Sequence, residues 1–276
     1  MFGTTSSPQK VSLFNTGDYQ MTLASVTTTG DFAVQTNKCT NGVKPGTHCD
    51  VYVVFSPTHV GALTGTLTFA DSATNSPQTA GLTGIGQSTT NTTLTSTPNP
   101  STLGQAVKLT ALVIPTHSGT PTGTVTFYDG TAVLGTAPLN LGAAQLITST
   151  LSGGSHSLTA SYGGDAVFLA SLSPVVSQVV KQGLPIITLG SSPNPSSVNQ
   201  TVTFTAIVAG KKGIAPSGTV AFKKGTIVLG TVALVNGQAK FATAFTKAGT
   251  VSIVASYSGD KSYRPQSPKA LKQVVK

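Results

Sequence analysis

The sequence predicts an all-β protein built of three β-sandwiches in tandem, and three observations carry that reading. The first is composition. Of 276 residues, 45 are Thr, 29 Ser, 30 Gly and 16 Pro, while the seven acidic residues are all Asp. Strong helix formers are scarce and turn formers abundant, which argues against a helical protein. Hydrophobic residues make up 38% of the chain and mean hydropathy is +0.17, which argues against disorder. The second observation is patterning: short apolar runs alternate with Thr-rich polar positions, as half-buried strands require. The third is self-similarity. Shifted by 95 residues, the second and third parts of the chain align without a gap.

Taken in order, the first 87 residues lie outside the repeat but read as β. Val11 and Leu13 mark a strand that ends at Asn15-Thr16-Gly17, and Met21, Leu23 and Val26 mark a second. Val51, Val53 and Phe55 alternate with Tyr52 and Val54 in a third. Leu63, Leu67 and Phe69 belong to a fourth, and Thr79–Gly86 closes the segment. In the repeat, Thr93–Ser96 opens the second part. Pro98-Asn99-Pro100-Ser101 matches Pro193-Asn194-Pro195-Ser196 and reads as a rigid lead into a strand. Val107, Leu109, Ala111 and Val113 share one face, as do Val202, Phe204, Ala206 and Val208 in the sister copy. Val125 and Phe127 follow, and Asp129-Gly130 turns the chain into Thr131–Thr136, with Lys224-Gly225 replacing that turn in the third part. Further strands fall around Ala144–Thr148, Leu158–Tyr162 and Val175–Val180. About seven short strands at this spacing read as an immunoglobulin-like sandwich. The expected domains are 1–87, 88–182 and 183–276, with short linkers at Gln87–Asn91 and Gln182–Pro185. Three such sandwiches span on the order of 100 Å.

These residues carry two family resemblances. The first part resembles the bacterial ASH/Hydin-like immunoglobulin-like domains of the choice-of-anchor D type. The matching residues are Phe14-Asn15-Thr16-Gly17, Gly30-Asp31-Phe32, Cys39 with Cys49, Phe55-Ser56-Pro57, Gly65-Thr66-Leu67 and Leu82-Thr83-Gly84. Such domains begin with a further strand before Phe2-Gly3, so this resemblance implies a first sheet that lacks an edge strand. The second and third parts resemble the bacterial immunoglobulin-like repeats found in tandem in large surface proteins. Pro98-Asn99-Pro100, Gly123–Gly130 and Tyr162-Gly163-Gly164-Asp165 carry that match, with Ala221-Phe222-Lys223-Lys224-Gly225 as a divergent middle motif in the third part. The resemblance implies a secreted or cell-surface setting and a structural or adhesive role, with no catalytic residues.

Few residues offer chemistry. Cys39 and Cys49 flank Lys44-Pro45-Gly46, a turn that brings neighbouring strands together. A disulfide is geometrically reasonable there and implies an oxidising compartment. The alternatives are two free thiols, or a metal site with His48 and His59. Adjacent strand residues point to opposite faces, which sets His48 and Cys49 apart as ligands. Asp165 and Asp260 read as loop residues that bond their own backbone, since calcium needs oxygens from several carboxylates. Tyr162 and Tyr257 read as core residues with hydroxyls at the sandwich end. His117 and His156 align with Lys212 and Val251, outside the shared framework, and the absence of Glu disfavours paired-acid catalysis. No catalytic, cofactor or metal residues are expected. No apolar run is long enough for a membrane-spanning helix, and Met1–Lys10 lacks signal-peptide features.

Charge separates the three parts. Residues 1–95 carry net −1 and residues 96–186 net 0, whereas residues 187–276 hold ten Lys, Arg264 and only Asp260, net +10. Lys211, Lys212, Lys223, Lys224, Lys269 and Lys272 are candidate contacts for an anionic polysaccharide or other surface or matrix polymer. The plainer reading is a solvated, solubilising face. Phe204, Phe222 and Phe241 fall at inward positions rather than interleaving with Lys, so nucleic acid is not expected. The expected function is a non-catalytic structural or adhesive stalk, a monomeric segment of a longer secreted or surface chain. The alternative is a carbohydrate- or polyanion-binding module in the third domain.

Overall fold

The computed structural model describes residues 1–211 and 213–276, and all regular structure among them is β. The first sandwich contains β1 (Gln9–Phe14), β2 (Leu23–Thr28), β3 (Phe32–Asn37), β4 (His48–Phe55), β5 (Gly61–Asp71) and β6 (Gln78–Gly86). They form two three-stranded antiparallel sheets, β1-β4-β3 and β2-β5-β6. Period two holds in β4, where Cys49, Val51 and Val53 are buried and His48 is exposed. The sequence reading missed β3, because Phe32 is its one buried side chain, Val34 is half-buried, and the rest is polar or exposed. Met21 lies outside β2, bridged to Val43. Leu13, Phe32, Val51, Leu67 and Phe69 fill the space between the sheets.

The second sandwich adds β7 (Thr90–Thr97), β8 (Ser101–Thr102), β9 (Val107–Pro115), β10 (Thr124–Asp129), β11 (Ala132–Pro138), β12 (Ala143–Thr148), β13 (Gly154–Tyr162), β14 (Ser171–Leu172) and β15 (Val176–Lys181). One sheet runs β12-β9-β7 and the other β11-β10-β13-β15-β8, with β14 on β13. The third contains β16 (Ile186–Ser192), β17 (Thr201–Ala209), β18 (Thr219–Lys224), β19 (Ile227–Ala233), β20 (Gln238–Ala244), β21 (Gly249–Tyr257) and β22 (Leu271–Val275). Its sheets are β16-β17-β20 and β19-β18-β21-β22. Inward positions of β9 and β17 are buried as their alternation requires. The β10–β11 and β18–β19 hairpins turn on Gly130-Thr131 and Gly225-Thr226, one residue later than the sequence reading placed them. Gly130 and Gly225 have φ of 57° and 61°, which only glycine adopts without cost.

The Pro-Asn-Pro-Ser motif is a sheet switch. It carries the chain from β7 in one sheet to β8, which pairs parallel to β15 in the other. Asn99 holds the crossing by donating to Ser177 O (2.7 Å) and accepting from Val179 N (3.0 Å). Asn194 does the same with Lys272 O and Val274 N. Beneath it, the fully buried Gln178 donates to Pro98 O (3.1 Å) and accepts from the Ser96 hydroxyl. Gln273 takes the same place in the third sandwich, donating to Pro193 O at 3.0 Å.

Candidate functional site

The two cysteines sit where β3 gives way to the turn before β4. Gly46, at φ 68°, follows Pro45, and Thr47 N donates back to Lys44 O at 3.1 Å, a tight turn with Pro and Gly at its centre. Cys39 and Cys49 are joined by a disulfide with Cα atoms 5.1 Å apart, and both are buried. His48 points away from it, 3.7 Å from Asp50, and His59 bonds Thr58. Among the described residues, no group of three His, Cys or Asp side chains is placed to share a metal ion.

His156 is buried, with Nδ1 2.6 Å from Asp129 Oδ2 and Nε2 2.8 Å from Ser152 O. A carbonyl only accepts, so Nε2 carries hydrogen. Position 129 of the second sandwich corresponds to Lys224 in the third, and His156 to Val251. The carboxylate and its buried histidine have a lysine and a valine at the matching positions of the third sandwich.

The described candidate lysines of the third sandwich divide between two places. Lys223 and Lys272 stand on the outward face of the β19-β18-β21-β22 sheet, opposite Val254 and Ser252, while Phe222 and Gln273 beside them point inward. Lys224 adjoins the hairpin turn, and Lys269 is exposed ahead of β22. Lys211 lies at the other end, its N–H donating to Tyr263 Oη at 2.7 Å. Lys212 lies outside the described residues. Among the described residues, no lysine of this sandwich pairs with a carboxylate. Phe204 and Phe222 are buried, and Phe241 stacks on Phe222 at 5.5 Å.

The most elaborate polar geometry lies where the sandwiches meet. Asp165 Oδ1 accepts from the N–H groups of Val167 (2.8 Å) and Phe168 (2.7 Å). Its Oδ2 accepts from Thr122 N (2.9 Å) and Thr122 Oγ1 (2.7 Å), 43 residues away. Burial works against this charge, yet the bonds from Thr122, Phe168 and Val167 outweigh it and hold the carboxyl well below the usual range. Asp260 repeats the arrangement with Ser262, Tyr263 and Ser217, and its pKa is lowered against the same opposing burial. The reading of these aspartates as backbone-bonding loop residues thus describes half of what they do, because each also ties its loop to the distant segment leading into β10 or β18. Tyr162, beneath the loop, is buried with no partner for its hydroxyl, and burial followed by the Asp165 charge pushes its pKa up to about 12.

Each such loop receives the linker from the preceding sandwich. Ser88 N donates to Val167 O and Leu169 N donates to Ser88 O, both at 2.9 Å, as a parallel bridge to Phe168. Gly183 N donates to Ser262 O and Arg264 N to Gly183 O, again both at 2.9 Å, as a parallel bridge to Tyr263. Gln87 Nε2 reaches Ala166 O at 3.4 Å, and Gln182 Nε2 reaches Asp260 O at 2.7 Å. Sequence reasoning found the aspartates through the repeat and placed the linkers at Gln87–Asn91 and Gln182–Pro185, but not the docking of one on the other.

Comparison with known proteins places the chain. The family described as bacterial Ig-like domain (group 3) matches residues 94–181 and 189–276. The chain belongs to that family. Ahead of its bacterial Ig-like repeats, residues 1–87 match the HYDIN/CFA65/VesB-like, Ig-like domain. Ig-like domains of these families are generally non-catalytic. None of the curated proteins matches the chain. Among solved structures, this bacterial Ig-like chain is similar to the mouse nectin-like molecule 4 ectodomain (Ig1–Ig3), at 13% identity, with 99% of this chain and 95% of that one covered and a TM-score of 0.37. A marsupial T cell receptor gives 10% identity, 95% coverage of each chain and 0.38. The Escherichia coli adhesin FdeC gives 13% identity, 92% and 86% coverage, and 0.32. At these values nothing about role passes from them to this chain.

Proposed function

We propose that the chain is a non-catalytic stalk segment, structural or adhesive, of a secreted or surface-displayed bacterial protein. The supporting observation is that both junctions dock the linker in one hydrogen-bonded register, which spaces the sandwiches at set intervals. The disulfide supports an oxidising compartment. No helix among the described residues is long and apolar enough to cross a membrane. The test is retention of the full chain on anionic and neutral polysaccharides over a salt series. A stalk shows no saturable retention, and the variant Lys223→Gln/Lys224→Gln/Lys269→Gln/Lys272→Gln behaves like the parent.

One observation favours a second reading, a carbohydrate or polyanion receptor in the third sandwich. Its cations face a single carboxylate, Asp260, already taken up by backbone and Ser217. That reading expects saturable retention that falls steeply with salt and is lost in the lysine variant.

A further inference from the structure

We propose that the Asp-centred loop at the end of each repeat is a socket for an extended main chain. It takes the linker of whatever domain precedes it and fixes the angle of the joint. Two different linker segments occupy the two sockets, Gln87-Ser88-Thr89 following the Hydin-like sandwich and Gln182-Gly183-Leu184 following the first repeat. They share only Gln, yet their central residues make the same pair of backbone hydrogen bonds at the same 2.9 Å. Recognition is therefore of an extended backbone in one register, as when a peptide adds to a sheet edge.

The aspartate shapes the socket. Its two oxygens saturate the N–H groups of the loop residues and of the strand-leading Thr122 or Ser217, so the loop's own carbonyl and amide point outward to the linker. The walls come from both partners. Val60 of the first sandwich packs against the core that contains Phe168. In the second joint Gly153 N donates to Ser262 Oγ at 3.0 Å, and a Cβ at Gly153 would lie 2.7 Å from Ser262 Cα. Only a glycine admits so close an approach.

The socket holds whether the chain is a stalk or a receptor, and its test does not involve a ligand. Spin labels on exposed residues of the full chain, through Thr131→Cys with Thr226→Cys and through Thr74→Cys with Thr131→Cys, report the second and first joints by dipolar distance measurement. Each pair is expected to give one narrow distance. Asp260→Ala broadens the second distance and leaves the first narrow, and Asp165→Ala does the reverse, so each variant is the other's control. Asp260→Asn, which retains one accepting oxygen, falls between. Gly183→Pro removes the linker amide that bonds Ser262 O and leaves the aspartate's own bonds in place; Gly183→Ala, which keeps that amide and adds the same Cβ against Leu103, is its packing control, so the second joint broadens in Gly183→Pro and stays narrow in Gly183→Ala. Broad distances in the parent overturn the proposal, as does a second distance that stays narrow in both Asp260→Ala and Gly183→Pro. If Asp260→Ala unfolds the third sandwich, Gly183→Pro alone decides.

Discussion

Asp165 and Asp260 each carry a charge ringed by donors, and that makes them sensitive to acid in a defined direction. Their folded pKa values lie below the unfolded one, so their contribution is fully present above the unfolded value of about 3.9 and is lost as pH falls through the folded values. The expected outcome is a urea midpoint that is flat near neutrality and drops below about pH 4, with a smaller drop in the Asp165→Asn/Asp260→Asn chain. Cys39 and Cys49 act on the unfolded chain instead. Opening so short a loop by Cys39→Ser/Cys49→Ser is expected to cost the first sandwich about 3 kcal/mol in denaturant titration. The aspartates were legible in the sequence because they recur at a fixed offset beside Tyr and Gly. Ser88 and Gly183 were legible as linker residues but their docking was not, because a site read through backbone atoms leaves no side-chain signature, and one position is Ser where the other is Gly.

At the level of strands and turns, alternation carried most of the reading. β9, β10, β13 and their counterparts were legible because each buries one full face. β3 was not, since Phe32 and the half-buried Val34 make an alternation only two positions long. The Pro-Asn-Pro crossing was legible as a stiff segment but not as a change of sheet, which depends on contacts some 80 residues away. Gln178 anchors that crossing from a fully buried position. Replacing it with Ala removes packing and strands the Pro98 carbonyl, so a loss of about 2–4 kcal/mol is expected from the unfolding midpoint of the second sandwich. Gly230 offers a contrasting case, since a Cβ there overlaps the Phe241 ring that lies across the core. Gly230→Ala is expected to cost about 1–3 kcal/mol through overpacking, read in the same titration.

For the molecule as a whole, the division into three was legible in the sequence because the repeat is long and gapless, and the charge step from 0 to +10 between near-identical folds was legible by counting. Where the lysines fall was not, because loop and outward strand positions carry no burial pattern. The structure sets Lys211 at the opposite end of the sandwich from Lys224, away from the sheet face that carries Lys223 and Lys272. Binding to a polyanion, where it occurs, is therefore expected to follow the four-stranded sheet face. Lys223→Gln/Lys272→Gln should flatten the salt dependence more than Lys211→Gln does, read from elution across the salt series.

The parallel pairing of β8 with β15 has a mechanical consequence. The chain enters the second sandwich through β7, crosses to β8 and leaves at Lys181 of β15, so traction on the two ends pulls the parallel β8 and β15 past each other along their length. Val180–Ser101, Lys181–Thr102 and the Asn99 clasp then resist together rather than parting one by one like a zip. The six strands of the first sandwich pair only antiparallel. In a tethered chain under stretch, the Hydin-like sandwich therefore yields at lower force, while the disulfide keeps its Cys39–Cys49 loop from paying out.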